Sequence, residues 1–432
     1  MQEDFLQYIW KYALFASDRL VTTRGERVEI MSNGQFNSDS GPDFLFARIK
    51  IDRTIWAGHI EIHVKASDWY RHHHDSDPAY DPVILHVVYD PDCEVRRSNG
   101  DLLPTVVLPF KPAYLDNYHR MLKTLSAIPC TTSWMSLSSM IVEGWLISMG
   151  VERMESKALR IQQRLRQNHG GWEQTSLQLL MRTFGFGVNQ ETFDRLGKNI
   201  PVKAIRNIGD NLFRLEALLY GQANLIPEPA EDPYSRALSS EFFFLCNKYN
   251  ISRLDKPGWK FMRMRPANFP TVRLAQLAGL ISLMPLNPSI MTVESLPQDI
   301  PVSTYWQKHY DFGKEWRDQS PTIGKDTLNL LKINYLLPVL ACYASAIGQP
   351  QSNVWWMEQL ERLPPENNRI TRLWTGYGYQ VPNAFYSQAF LHLYQNYCSS
   401  RRCLSCRIGQ AIIGSGQNGK INDDAVTKVY EL

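Results

Sequence analysis

The chain changes texture once, and that change limits the folds open to it. Up to about residue 110 it is cut into strand-length runs: "LVTT", "RVEIMS", "FLFARIKI", "TIWAGHIEIHVK", "VILHVVYD", "CEVRR" and "TVVLPF". Turn signals at Ser32-Asn33-Gly34, Asp52-Arg53 and Ser98-Asn99-Gly100 separate them. From about residue 137 apolar residues recur at helical spacing almost to the end, interrupted by proline-rich stretches at 226–234 and 284–301. One further helix is predicted over residues 3–15, from Phe5, Ile9, Tyr12 and Leu14. These periods predict an α+β protein, with an α/β domain over 1–125 and an all-α region over 126–432 that has a further boundary near 226–234 or 284–301.

Composition narrows the class. The chain has 432 residues, 44% of them hydrophobic, enough for a sizeable core, and a formal charge of +3. So small a charge means that any surface for nucleic acid must be local. No run of about 18 apolar residues is present, and "MQEDFLQYIWKYALF" opens without a basic segment. The expectation is a cytoplasmic protein with no membrane partner. Seven cysteines, three of them between 398 and 406, do not suit a secreted disulfide framework. Free thiols and one metal cluster in a reducing compartment fit better.

Residues 58–75, "GHIEIHVKASDWYRHHHD", hold five of the ten histidines. His59, Glu61, His63 and Lys65 alternate with Ile60, Ile62 and Val64, so one strand face is apolar and the other ionisable. Alone, this pattern describes a half-buried strand with a wet face. The run "VILHVVYD" reads as a central strand covered on both faces. Its His86 is a hydrogen-bonded core residue or a catalytic one. His72, His73 and His74 follow Asp68 and Trp69, which would organise a polar turn flanking the site; His72 and His74 are candidates for contact with phosphate or a second metal.

Pro42-Asp43 stands just before the apolar strand "FLFARIKI", whose hairpin partner carries Glu61. Two acids on paired strands can converge on one divalent cation. This order resembles the PD-(D/E)xK nuclease superfamily, which implies a restriction-endonuclease-like core: a helix, three antiparallel strands, a helix and a further strand. The resemblance implies phosphodiester hydrolysis with Mg²⁺ or Mn²⁺ held by Asp43 and Glu61, with Glu3 as an additional acid. Where the motif has lysine this chain has His63, and Lys65 comes two residues later. At about 3.3 Å rise per residue, His63 lies roughly 6.6 Å and Lys65 roughly 13 Å along the strand from Glu61. His63 therefore ranks first for orienting water, with Lys65 second.

End to end, through "GPDF", "EIHVKASDW", "VILHVVYD", "RPANFPTVRLAQLA" and "CLSCRIG", the chain also resembles an uncharacterised bacterial family, a domain of unknown function. That likeness implies no activity. In the helical half, Arg153, Lys157, Arg160 and Arg164 form a basic stripe beside an apolar one, and Arg265 and Arg273 add a weaker basic patch. Such a stripe is a solvated face or a phosphate track. Cys398, Cys403 and Cys406 have metal-ligand spacing for Zn²⁺ or an Fe–S cluster, with His392 or Cys130 as the fourth ligand. Some PD-(D/E)xK nucleases hold a four-cysteine Fe–S cluster, and that resemblance favours Cys130. The leading expectation is a metal-dependent nuclease acting on nucleic acid, DNA before RNA. The alternatives are a nucleic-acid-binding protein on a degenerate nuclease core and a histidine-rich Zn²⁺-dependent hydrolase.

Overall fold

The computed structural model describes residues 1–415 apart from 132, 256–257, 318–320 and 350–351. Helix α1 (Glu3–Lys11) buries Phe5, Leu6, Ile9 and Trp10, the face its spacing predicts. It stops short of residue 15 because Ala13 adopts φ 49°, after which Phe15 bridges to Phe110.

Six strands form one mixed sheet: β1 (Val28–Ser32), β2 (Gln35–Phe36), β3 (Phe44–Ile51), β4 (Thr54–Lys65), β5 (Val83–Asp90) and β6 (Thr105–Val107). Their order is β1-β3-β4-β5-β6, with β2 beside β3. The first part, β1 to β4, is antiparallel, whereas β5 and β6 run parallel to β4. A parallel neighbour requires a crossover, and the segment with helix α2 (Asp68–Arg71) supplies it. Six consecutive residues of β5, Val83–Val88, are buried, as its unbroken apolar run predicts. The runs "LVTT" and "CEVRR", expected as strands, make only isolated bridges at Val21, Thr22 and Arg96. A helix α3 (Pro112–Lys123) follows the sheet.

A bulge in β3 sets the register that matters most. Ala47 faces Gly58, and an unbroken ladder from there would put Phe44 opposite Glu61. Instead the ladder shifts between Phe44 and Ala47, so Phe44 faces Ile60 and Asp43 comes beside Glu61. Within the bulge Phe46 is exposed, takes φ 59°, and donates its N–H to His59 Nδ1 at 3.2 Å.

The chain forms two compact units, Met1–Trp145 with Leu393–Leu432, and Leu146–His392. The C-terminal segment thus rejoins the sheet-bearing unit, a division not visible as a boundary in the sequence. Asn117 on α3 donates to the carbonyls of Ile412, Ile413 and Ser415, and Arg401 donates to those of Met121 and Thr124. The second unit is helical, around buried Leu180, Phe184, Leu218, Leu277 and Tyr335. Helix α4 (Ser139–Gln167) carries the chain from one unit to the other. Among the described residues one helical stretch, Lys325–Ala346, is long and apolar enough to cross a membrane, and more than half of its most apolar window is buried in the protein.

Gly58 lies where β4 meets the start of β5. A Cβ there would stand 2.4 Å from Pro82 O and 2.5 Å from Ile84 Cγ2. Gly58→Val should therefore wedge the two strands apart and cost about 1–3 kcal/mol in urea unfolding; wild-type stability would show that the strand junction yields.

Candidate functional site

The strand period puts Glu61 and His63 on one face of β4, and both are buried although ionisable. Asp43 reaches them across the ladder. Its backbone N–H donates to Glu61 Oε2 at 3.1 Å, and its own Oδ2 accepts the Ile62 N–H at 3.0 Å. From α1, Gln7 Nε2 donates to Asp43 Oδ1 at 2.9 Å and contacts Glu3 Oε1 at 3.4 Å. The three acids expected at the site thus gather around one end of the β3–β4 pair.

His72 and His74 join from the crossover, and their aim has a local cause. Asp68 Oδ2 accepts the Lys65 N–H, while the buried Trp69 donates Nε1–H to Arg96 O, fixing α2 on the sheet. The helix ends in a left-handed turn: His73 takes φ 62°, its N–H donates to Tyr70 O and the His74 N–H to Trp69 O. This is a Schellman ending with histidine where glycine is usual. It leaves His73 exposed, His74 buried and His72 within reach of the strand.

The result is a compact set of ligand atoms. His63 Nε2 lies 3.2 Å from His72 Nδ1 and 3.5 Å from Glu61 Oε1, and His74 Nε2 lies 3.3 Å from the same oxygen. One ligand atom each from His63, His72 and His74 falls within a mutual 4.8 Å. Behind them His86, fully buried, meets His63 Nδ1 through its Nε2 at 2.9 Å, and Tyr80 stacks on His74 with centroids 3.6 Å apart. Among the described residues His74 Nδ1 and His86 Nδ1 are buried without a hydrogen-bond partner.

Electrostatics here are unfavourable for the protein alone. Burial, then repulsion by Glu61, pushes Asp43 up to about 7. Burial pushes Glu61 up to about 8 against the Asp43 N–H, and burial with Asp43 pushes Glu3 up to about 7. The imidazoles move oppositely: burial, then its neighbour His86, holds His63 down at about 2, and burial holds His86 at about 3. His72 and His74 are also lowered, chiefly by burial. Neutral imidazoles beside disfavoured carboxylates are what a cation would reverse.

The donor set fits a metal. Ligands at roughly 2.0–2.1 Å around a tetrahedral ion lie about 3.3–3.4 Å apart, close to the three separations around Glu61 Oε1 and His63 Nε2. Three imidazoles and a carboxylate suit Zn²⁺ or Mn²⁺ better than Mg²⁺, which prefers an all-oxygen shell. Two members of the histidine run, His72 and His74, stand in this cluster with His63.

Other expected residues lie elsewhere. Lys65 is exposed and faces Asp90 at 3.9 Å, so it does not join the cluster. Lys157 is buried, not part of a solvent-facing stripe, because α4 turns it inward onto Ile333 and Asn334. Arg164 pairs with Asp194, Arg273 is tied to Asn268 and Gln276 over the Phe186 ring, and Arg265 is exposed. His392 pairs through Nε2 with Glu152 at 3.0 Å. Cys130, Cys398, Cys403 and Cys406 are all buried, and burial, then the neighbouring Cys130, Cys406 and Cys403, pushes the Cys398 thiol up. Sequence reasoning missed Gln7 and Tyr80; the position of Gln7 one turn after Glu3 on α1 was an available signal.

A mixed sheet with buried acids and imidazoles converging at one end defines an α+β protein with a candidate metal centre. The chain belongs to the DUF2851 family, described as a protein of unknown function, whose family model matches residues 3–369. That span takes in the whole acid–histidine cluster and Cys130 but ends before Cys398. No curated protein and no solved structure matches the chain.

The raised acids give a signed expectation. Asp43 and Glu61 move up from 3.8 and 4.5, so their contribution to stability is full below about pH 4 and is lost as pH rises through about 7 to 8. A metal that needs the Glu61 carboxylate should bind more tightly as pH rises. The increase in Tm caused by Mn²⁺ or Zn²⁺ should grow from pH 6.5 to 8.5, and Glu61→Gln should flatten it. A metal shift independent of pH would contradict the ligand assignment.

Proposed function

We propose that this protein is a metal-dependent phosphodiester hydrolase acting on nucleic acid, with DNA the first substrate to test. The observation that carries the reading is the convergence of Asp43, Glu61 and Glu3 with His63, His72 and His74 at one end of β3 and β4. The element order supports it: α1, then antiparallel β1, β3 and β4, the short α2, and β5 parallel to β4. This order is similar to the one that the PD-(D/E)xK resemblance implies.

Glu61 Oε1, His63 Nε2, His72 and His74 would hold Mn²⁺ or Zn²⁺. A divalent ion at this position supplies Lewis-acid stabilisation of charge on the phosphoryl oxygens and makes water more acidic. Asp43, beside Glu61 but outside the imidazole set, accepts the proton of the attacking water at a carboxylate oxygen. The water oxygen forms a bond to phosphorus as the ester P–O bond breaks, and the departing oxygen takes up a proton. Glu3, linked to Asp43 through Gln7, is the donor on the α1 side. His86 acts through His63, holding its ring against Glu61.

The second reading, a histidine-dependent Zn²⁺ hydrolase, is favoured by one observation, the three-imidazole group itself. The two differ in their need for Asp43. With Mn²⁺ or Zn²⁺, the nuclease reading expects cleavage of single-stranded, duplex or structured nucleic acid, reduced at least about 100-fold by Asp43→Ala and Glu61→Ala in folded protein. Wild-type inactivity on all three substrates would reject it. Metal-dependent hydrolysis unaffected by Asp43→Ala would transfer the assignment to the second reading. Lys65→Ala should leave activity near wild type.

We further infer that Cys130, Cys398, Cys403 and Cys406 hold a structural metal centre, Zn²⁺ or an Fe–S cluster. Support comes from four buried thiols within one unit, and from backbone N–H groups of Ile408 and Gly409 donating to the Cys406 sulfur at the start of helix Arg407–Gly414. A Cβ on Gly409 would lie 2.2 Å from Cys403 O, so glycine lets that helix close on the cysteine turn. Protein purified without oxygen should contain stoichiometric zinc, or iron with visible charge-transfer absorption, and Cys403→Ser should lose it. Absence of both metals would refute the inference.

A further inference from the structure

The buried Lys157 has no role in the reading above, and its surroundings call for one. In the Leu146–His392 unit, α4 presents Arg153, Lys157 and Arg160 to a cavity of about 430 Å³, which Arg182 also lines. Lys157 Nζ donates to Ile333 O at 3.2 Å and to Asn334 Oδ1 at 2.9 Å, both neutral acceptors. Among the described residues it makes these two hydrogen bonds and no ion pair, and an ammonium has three protons to place. Its two acceptors belong to a π-helical turn, Lys332–Leu336, a form that recurs at functional positions.

The cavity's charge does not balance internally. Among the described residues Glu366 is the one acid lining it, and its carboxylate is engaged by amides: Asn334 at 2.8 Å, Gln388 at 2.9 Å and Asn368 at 3.3 Å. Arg182 pairs with Glu191 at 2.7 Å, but Arg160 makes no ion pair among the described residues. Burial, then the neighbouring Arg153, holds the Lys157 ammonium down at about 7. Glu366 offsets this only in part, and a buried ammonium whose hydrogen bonds go to neutral acceptors is costly to the fold unless an anion completes it.

We propose that this cavity binds a phosphomonoester carried on an organic body of nucleotide size. Arginine and lysine together match the tetrahedral oxygens and double charge of such a group. Phosphate alone would leave most of the volume empty, whereas the partly exposed Leu179, Phe186 and Leu330 on its wall offer apolar surface to the organic body. This goes beyond the nuclease reading and stands on different residues, so it survives if that reading fails.

The test uses full-length protein, with 5′-AMP, inorganic phosphate and adenosine as probes in calorimetry and thermal unfolding. Binding of 5′-AMP, weaker binding of phosphate and none of adenosine are expected. Lys157→Met and Arg160→Gln should each weaken 5′-AMP at least about tenfold, and Glu61→Gln should leave its affinity unchanged. Arg160 is exposed, so its variant keeps the test valid if Lys157→Met does not fold. Failure of both phosphate compounds to bind, equal binding of adenosine, affinity untouched by Arg160→Gln, or affinity lost in Glu61→Gln would each overturn the proposal.

Discussion

Two hydrogen bonds across one strand pair organise the candidate site: Asp43 N–H to Glu61 Oε2 and Ile62 N–H to Asp43 Oδ2. They exist because the bulge around Phe46 shifts the ladder by one residue. Without that extra residue, Phe44 would stand opposite Glu61 and the two acids would not meet. A left-handed phenylalanine costs backbone strain, so the bulge is the kind of local irregularity associated with function. Everything else at the site is arranged around the oxygen atoms this register brings together.

The charge pattern follows from the same geometry. Glu61 is buried by α1, β3 and the crossover turn, and the groups that bury it include two more acids and three imidazoles. Low polarity raises the acids and lowers the histidines, leaving electron-pair donors crowded around one volume. Structural ion pairs would have placed a lysine or arginine against the acids; Lys65 instead faces Asp90, and Arg71 pairs with Asp68, so that among the described residues its charge reaches Glu3, His63 and His72 without an ion pair to Asp43, Glu61 or Glu3. The missing positive charge is the argument for a divalent ion. The Lys157 cavity poses the converse problem, a buried ammonium whose hydrogen bonds go to neutral acceptors.

The α+β class, the strand limits around the site and the pairing of Asp43 with Glu61 were legible because strand period and hairpin register are local properties. His63 was legible over Lys65 for the same reason, since distance along a strand is fixed by the rise per residue. The role of His72 and His74 was not legible. It depends on His73 adopting a conformation that histidine seldom takes, with no glycine to signal it. The buried position of Lys157 was equally hidden, because the stripe at 153–164 has the spacing of a solvated face, and only packing against the Lys332–Leu336 turn decides which side is covered. That Cys130 lies near the C-terminal cysteines was hidden as well, because most of the chain's length separates them.

The central claim is that Glu61, His63, His72 and His74 bind one divalent ion at the end of β4. Crystals grown with Mn²⁺ or Zn²⁺ and measured at the metal's absorption edge test it most directly. The account predicts a single strong anomalous peak roughly 2.0–2.2 Å from Glu61 Oε1 and from one nitrogen of each of the three histidines. An ion bound elsewhere, or no peak in the cluster at metal concentrations that support activity, would contradict it.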